Sequence, residues 1–200
     1  MSIRPRTIAT GALLALALAG PLGACGWKGG GDPARGYAVD LPPGWQLAPE
    51  SLTPHLTEPR ELLSAGTFPL RFREGPCNHM PTGALRAMGR ADGFVTILER
   101  GRDPGSRWSE FTPRPERFAG SAEPQRGDVV DCLDGTLDAV EYWMPFTDAQ
   151  RHFYAMVVLG RDAPEHVRRE AFAVLDGLRF DPAAQPDWDA SPSRGAGRGC

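Results

Sequence analysis

The sequence predicts an α+β fold, a largely antiparallel sheet with an amphipathic C-terminal helix and a short middle helix. Three features carry this. Apolar and polar residues alternate in several short runs bounded by Gly and Pro, two aromatic runs face each other across a short polar link, and one late segment repeats apolar residues at helical spacing.

The elements follow in order. "GYAVDLPPGWQLAP" alternates Tyr37, Val39 and Leu41 before Pro42-Pro43-Gly44, which reads as a strand entering a tight turn. "ELLSAGTFPLRFR", residues 61–73, is a second extended stretch, and Pro69 removes a ladder donor from its far end. "MPTGALRAMG" sets Ala84, Leu85 and Met88 at helical spacing behind Pro81, with Gly89 as a stop, and predicts the short helix. "GFVTILER", Gly93 to Arg100, is apolar on both faces, so both faces must be covered. "RWSEFTPRPERFAG" is too rich in proline for a regular element in its middle.

Val140 to Phe146 and His152 to Leu159 flank Thr147-Asp148-Ala149-Gln150, which predicts a hairpin with a four-residue loop. In the second run Phe153, Ala155, Val157 and Leu159 fall on one face and Tyr154, Met156 and Val158 on the other, the pattern of a central strand. In "DAPEHVRREAFAVLDGLRF", Asp162 is placed to cap the first turn with Glu165 three residues on, and Pro164 fits where its missing N–H is harmless. Val167, Ala171, Val174, Leu175 and Leu178 form one apolar stripe, and Gly177 supplies a stop.

The residues ahead of this domain have a different composition. Residues 1–24 carry Arg4 and Arg6, no acidic residue, and an apolar core from Gly11 to Gly20 too short to span a bilayer comfortably, the parts of a secretory signal. Leu22-Gly23-Ala24-Cys25 resembles the lipobox of bacterial lipoproteins. The resemblance implies that the chain is cut before Cys25 and that its thiol carries a diacylglycerol; two acyl chains hold a protein stably on a membrane where one does not. Residues 25–35, with Gly29-Gly30-Gly31, then read as a lipidated flexible tether that lets the domain stand off the bilayer. Residues 36–182 read as a single α+β domain, and residues 183–200, rich in Pro, Gly, Ala and Ser, are expected to be a disordered tail.

The opening strand ending Leu-Pro-Pro-Gly-Trp, the aromatic hairpin and the closing helix running "AVLDGLRF" are together similar to secreted lipoproteins of PsbP-like fold. That resemblance implies a layered domain acting as an accessory or binding protein, and it transfers no catalytic residue. Arginine supplies all the Lys and Arg charges except Lys28, and Ala, Gly and Pro are abundant, which suggests a high-GC coding bias and an expected actinobacterial source.

Net charge excludes some partners. The whole chain is −3, and loss of Arg4 and Arg6 makes the processed form more acidic, so it lacks the clustered cations that nucleic-acid binding needs. The expected partners are the membrane, through the lipid, and an envelope protein or cell-wall component.

Of the four cysteines, Cys25 is assigned to lipidation. Cys77 and Cys132 fall inside the domain and are expected to pair in an oxidising exterior compartment, closing a loop that stabilises the fold by about 4 kcal/mol on the chain-entropy model. Cys200 is then left over on the tail, from which it can also reach Cys77 or Cys132.

Each candidate for chemistry has a plainer competitor. Cys77, His79 and Met80 offer the soft ligand types that Cu(I) prefers, or a nucleophile pair in Cys77 and His79, and a disulfide at Cys77 removes the thiolate from both. No Gly-x-Ser-x-Gly turn occurs, and Lys28, the sole lysine, lies outside any Ser-x-x-Lys. Asp128, Asp131, Asp134 and Asp138 cluster without the alternate spacing of a calcium loop and read as a solvated loop. His55, His79, His152 and His166 have no zinc spacing and read as structural or surface residues. Tyr142, Trp143, Phe146, Phe153 and Tyr154 suit either a ligand face or hydrophobic core, and cross-strand aromatic pairing favours core, with Trp143 and Tyr154 partly exposed.

No metal or cofactor is expected and no catalytic residue is assigned. The function expected from the sequence is a membrane-anchored exterior lipoprotein at the extracytoplasmic face of the cell membrane, acting as a binding or accessory module. The alternatives are a cell-envelope hydrolase and a soft-metal-binding protein.

Overall fold

A computed structural model describes residues 28–77, 80–101, 111–124, 133 and 136–184. The architecture is mixed α+β and dominated by two sheets. The larger orders its strands β3 (Gln46–Leu47), β4 (Arg60–Gly66), β5 (Gly93–Arg100), β8 (Arg151–Gly160), β7 (Ala139–Asp148) and β6 (Thr112–Pro113). Every pairing is antiparallel except β6 with β7. The smaller sheet orders β1 (Lys28–Asp32), β2 (Tyr37–Leu41) and β9 (Arg179–Phe180). Two α-helices are described, α1 (Thr82–Leu85) and α2 (Glu165–Asp176).

The central strands explain why both faces of the large sheet had to be covered. Side chains alternate across a strand, and β5 sends Val95 and Ile97 one way and Phe94 and Thr96 the other, each at most 1% exposed. On the first face they join Ala155 and Val157 of β8, Val39 and Leu41 of β2, and the stripe of α2. That stripe buries Val167, Ala171, Val174, Leu175 and Leu178 as its spacing predicts, and Phe172 joins it. On the opposite face Phe94, Met156 and Val158 pack with Met80, Ala84 and Leu85 around α1.

Several local expectations are corrected. Residues 28–35, predicted as slack tether, form β1 and a 3-10 turn at Pro33–Arg35, with Lys28 opposite Leu41 and Asp32 opposite Tyr37. The glycines serve close approach. A Cβ on Gly30 would stand 2.5 Å from Leu47 Cδ1, and Gly31, at φ 145°, lies against the Tyr37 carbonyl. The β7–β8 link is two residues long, because Thr147 and Asp148 stay in the ladder opposite His152 and Arg151. Helix α2 starts behind an extended Pro164, and Asp162 pairs with Arg90 instead of capping it. Helix α1 closes after Leu85, short of the predicted Gly89, although turn bonds continue to Met88.

The two sheets share no strand ladder, and polar contacts tie them together. Arg151, at the start of β8, donates Nε to the Glu99 carboxylate at 2.6 Å, and its other nitrogens donate to the Gly36 and Arg35 carbonyls at 3.2 and 3.1 Å. Arg35 in turn donates to the Leu62 carbonyl at 2.9 Å and to that of Glu61. Glu99 is fully buried and Arg151 nearly so. Arg114 reaches across from beyond β6 to accept none but donate to the Leu175, Asp176 and Leu178 carbonyls, closing the C-terminal end of α2.

Two outcomes follow. Arg151→Met leaves the buried Glu99 carboxylate to the longer contact from Arg60 Nη2, at 3.4 Å, and is expected to cost about 3 kcal/mol in denaturant unfolding, part of which Glu99→Gln in the same chain restores; a loss under 1 kcal/mol would deny the pair its role. Ala149 and Gln150, at φ 48° and 59°, occupy the left-handed region. Replacing them with Asn-Gly is therefore expected to stabilise the protein by about 1 kcal/mol, read as a rise in melting temperature.

Candidate functional site

Two open cavities flank α1, on the face of the large sheet that α2 does not cover. The first, about 490 Å³, lies between the segment after β3 and the segment leading into α1. Leu52 and Met80 form its buried floor, and Phe72, 37% exposed, stands at its rim with His55, Arg73 and Glu74. The second, about 450 Å³, is lined by Leu85, Met88, Leu133 and Leu137, with Arg86 and Thr136 exposed around them. Both volumes are in the range of small-ligand sites.

Close backbone packing shapes the first cavity. A Cβ on Gly83 would fall 1.9 Å from the Arg73 carbonyl oxygen, and one on Gly75 would fall 2.1 Å from Thr82 Oγ1. These two glycines let the Arg73–Gly75 segment lie directly on the start of α1. Thr82 Oγ1 accepts from the Cys77 N–H at 3.4 Å and donates to the Cys77 carbonyl at 3.3 Å, fastening the other end of the segment. The wall is therefore held at both ends while its side chains face solvent.

The polar groups buried nearby are already engaged. The Glu61 carboxylate accepts from Ser51 Oγ at 2.8 Å, from the Thr53 N–H and Oγ1 at 2.8 and 2.9 Å, and from Ser64 Oγ at 2.6 Å. This set pins the segment after β3 to β4, and a carboxylate so fully hydrogen-bonded is a structural anchor.

The sequence-predicted residues divide as follows. Cys77 and Met80 both line the first cavity, Met80 in its floor, while Asn78 and His79 lie outside the described residues. Among the described residues no three His, Cys, Asp or Glu side chains gather as a metal site. Cys25, Cys132 and Cys200 lie outside the described residues, as do Asp128, Asp131 and Asp134. Asp138 is described, and Arg90 and Arg161 both bind its carboxylate. His55 and His166 are exposed, and His152 packs edge-on to Phe111 at 5.2 Å.

The hairpin aromatics separate by face. Tyr142, Phe146 and Phe153 are core beneath α2, at 1% exposure or less. Trp143 stacks on Tyr154 at 4.9 Å on the opposite face, half-buried, and Tyr154, expected to be partly exposed, is buried. Sequence reading missed Leu52, Phe72 and the second cavity altogether. Leu52, Leu133 and Leu137 stand in segments with no strand or helix period, while Phe72, Leu85 and Met88 read only as parts of a strand or a helix.

The displaced carboxylates lie outside both cavities. Hydrogen bonding to Arg161, and then to Arg90, holds the Asp138 carboxyl below its ordinary range, and Arg90 does the same for Asp162. A lowered folded-state pKa gives stability that is present above the unfolded value and lost as pH falls through the folded one. The urea midpoint is therefore expected to drop as pH falls below about 4, and to drop less in Asp138→Asn; equal losses in both proteins would assign the effect to other carboxylates.

Among the described residues no helix is long and apolar enough to cross a membrane. No protein-family model matches the chain, and no curated protein is significantly similar to it.

Proposed function

We propose that this chain is a lipid-anchored exterior lipoprotein whose α+β domain, of PsbP-like layered type, serves as a binding or accessory module at the extracytoplasmic face of the cell membrane. The observation that carries the binding reading is the first cavity, an open groove with an apolar floor at Leu52 and Met80 and an exposed aromatic rim at Phe72. An apolar trough with charged margins suits an inserted side chain of an envelope protein or cell-wall partner.

The PsbP-like reading is supported by the layering. One large, mostly antiparallel sheet has α2 and the small sheet on one face and α1 with its flanking segments on the other. The anchor reading is supported by the signal-like residues 1–24 and by Leu22-Gly23-Ala24-Cys25. The Cys77–Cys132 bridge is supported by the oxidising exterior compartment that the anchor implies, in which two cysteines of one domain pair. It would fasten the rim of the groove to the segment ahead of β7.

Cys25→Ser is expected to leave the domain folded, with unchanged circular dichroism, and to move the protein out of the membrane fraction into soluble or unprocessed forms. Unchanged fractionation refutes the anchor. For the groove, Phe72→Ala combined with Met80→Ala is expected to lower capture of the envelope partner at least tenfold in a crosslinking pull-down from membranes, and equal capture refutes the site.

A further inference from the structure

We infer that the domain rests directly on the headgroups of the membrane that carries it, through the end of the fold formed by the start of β1, the Pro42–Trp45 turn and the neighbouring Pro69. The inference rests on Cys25 being acylated, as proposed above.

Only Gly26 and Trp27 separate Cys25 from Lys28, the first residue of β1. Three Cα-to-Cα steps span at most about 11 Å. A headgroup layer is about 5–8 Å deep. A sulfur held at the base of that layer therefore leaves almost no slack before the ladder begins. Lys28 pairs opposite Leu41, so the turn after Leu41 is brought to the same level. That turn closes through the Trp45 N–H to the Pro42 carbonyl at 3.2 Å and exposes Pro43 and Gly44 at its tip. Gln46 Nε2 donates to the Phe68 carbonyl at 2.8 Å, which sets the exposed Pro69 beside it.

The chemistry at this end suits a phospholipid surface. The exposed residues at its tip, Pro43, Gly44 and Pro69, carry no charge, so none of them repels an anionic headgroup. The ten residues of β8 run away from this end to Arg151 and the Ala149–Gln150 tip. A strand of that length carries the tip up to about 30 Å farther from the bilayer.

The test uses full-length protein in native membranes, with photoreactive p-benzoylphenylalanine placed at Pro43, Pro69 or Gln150 in turn. After irradiation, phospholipid adducts are expected at positions 43 and 69 at yields at least fivefold above position 150. Equal yields, or the greatest yield at position 150, overturn the orientation. Intact mass reads the anchor separately. An unacylated Cys25 removes the premise, whereas an acylated Cys25 without adducts at either proline removes the orientation alone. A 20-residue Gly-Ser insertion after Gly26 is expected to cut the adducts at least threefold, and unchanged adducts would show that the short leash does not set the pose.

Discussion

The buried pair of Glu99 and Arg151 is the constraint on which the arrangement of the two sheets depends. Hydrophobic contact between β2, α2 and the large sheet is abundant but non-directional, so by itself it leaves the sheets free to slide. A carboxylate with 1% side-chain exposure has to be met by a cation in good geometry. Arg151 meets that need and spends its remaining donors on the Arg35 and Gly36 carbonyls, where the chain enters β2. Its guanidinium also lies 5.1 Å from the Phe153 ring and 5.4 Å from Phe180 of β9. One side chain thus touches the central strand, the entry to the small sheet and its last strand.

The large sheet is covered unequally, and this places the cavities. On one face a twelve-residue helix and a whole sheet close over β5 and β8. On the other, the four residues of α1 and irregular segments do the same work. A single turn cannot span the width of the sheet. Met80, Met88 and Met156 fill part of what remains, as flexible thioethers do in irregular packing. The rest stays open as the two troughs beside α1.

Periodicity made β5, β8 and α2 legible in the sequence, because their apolar spacing is set by the same geometry that buries them. The strand β1 was hidden, since a run of glycines looks like a linker whether it is slack or holds the chain close to Leu47 and Tyr37; only the neighbours distinguish the two. The cap of α2 was misread for a related reason. Asp162 had a local partner in the backbone and a distant one in Arg90, and the distant one won. Arg114 at the other end of the helix gave no local sign at all. Of the groove, only Cys77 and Met80 were singled out, as possible ligands, because they stand almost side by side in the chain. Leu52 and Phe72 come from segments whose shape is fixed by Glu61 and by Gly83, and such tertiary contacts leave no pattern in the nearby residues.

The outer margins of the large sheet are its shortest strands. β3 and β6 are two residues each, and β6 ends in Pro113, which has no N–H to offer. Among the described residues they pair only with Phe146 and Thr147 of the ten-residue β7 and with Ala65 and Gly66 of β4. The consequence is a margin that is pinned at one point of each outer strand and leaves the backbone of β7 ahead of Phe146 without a strand ladder on its outer side among the described residues.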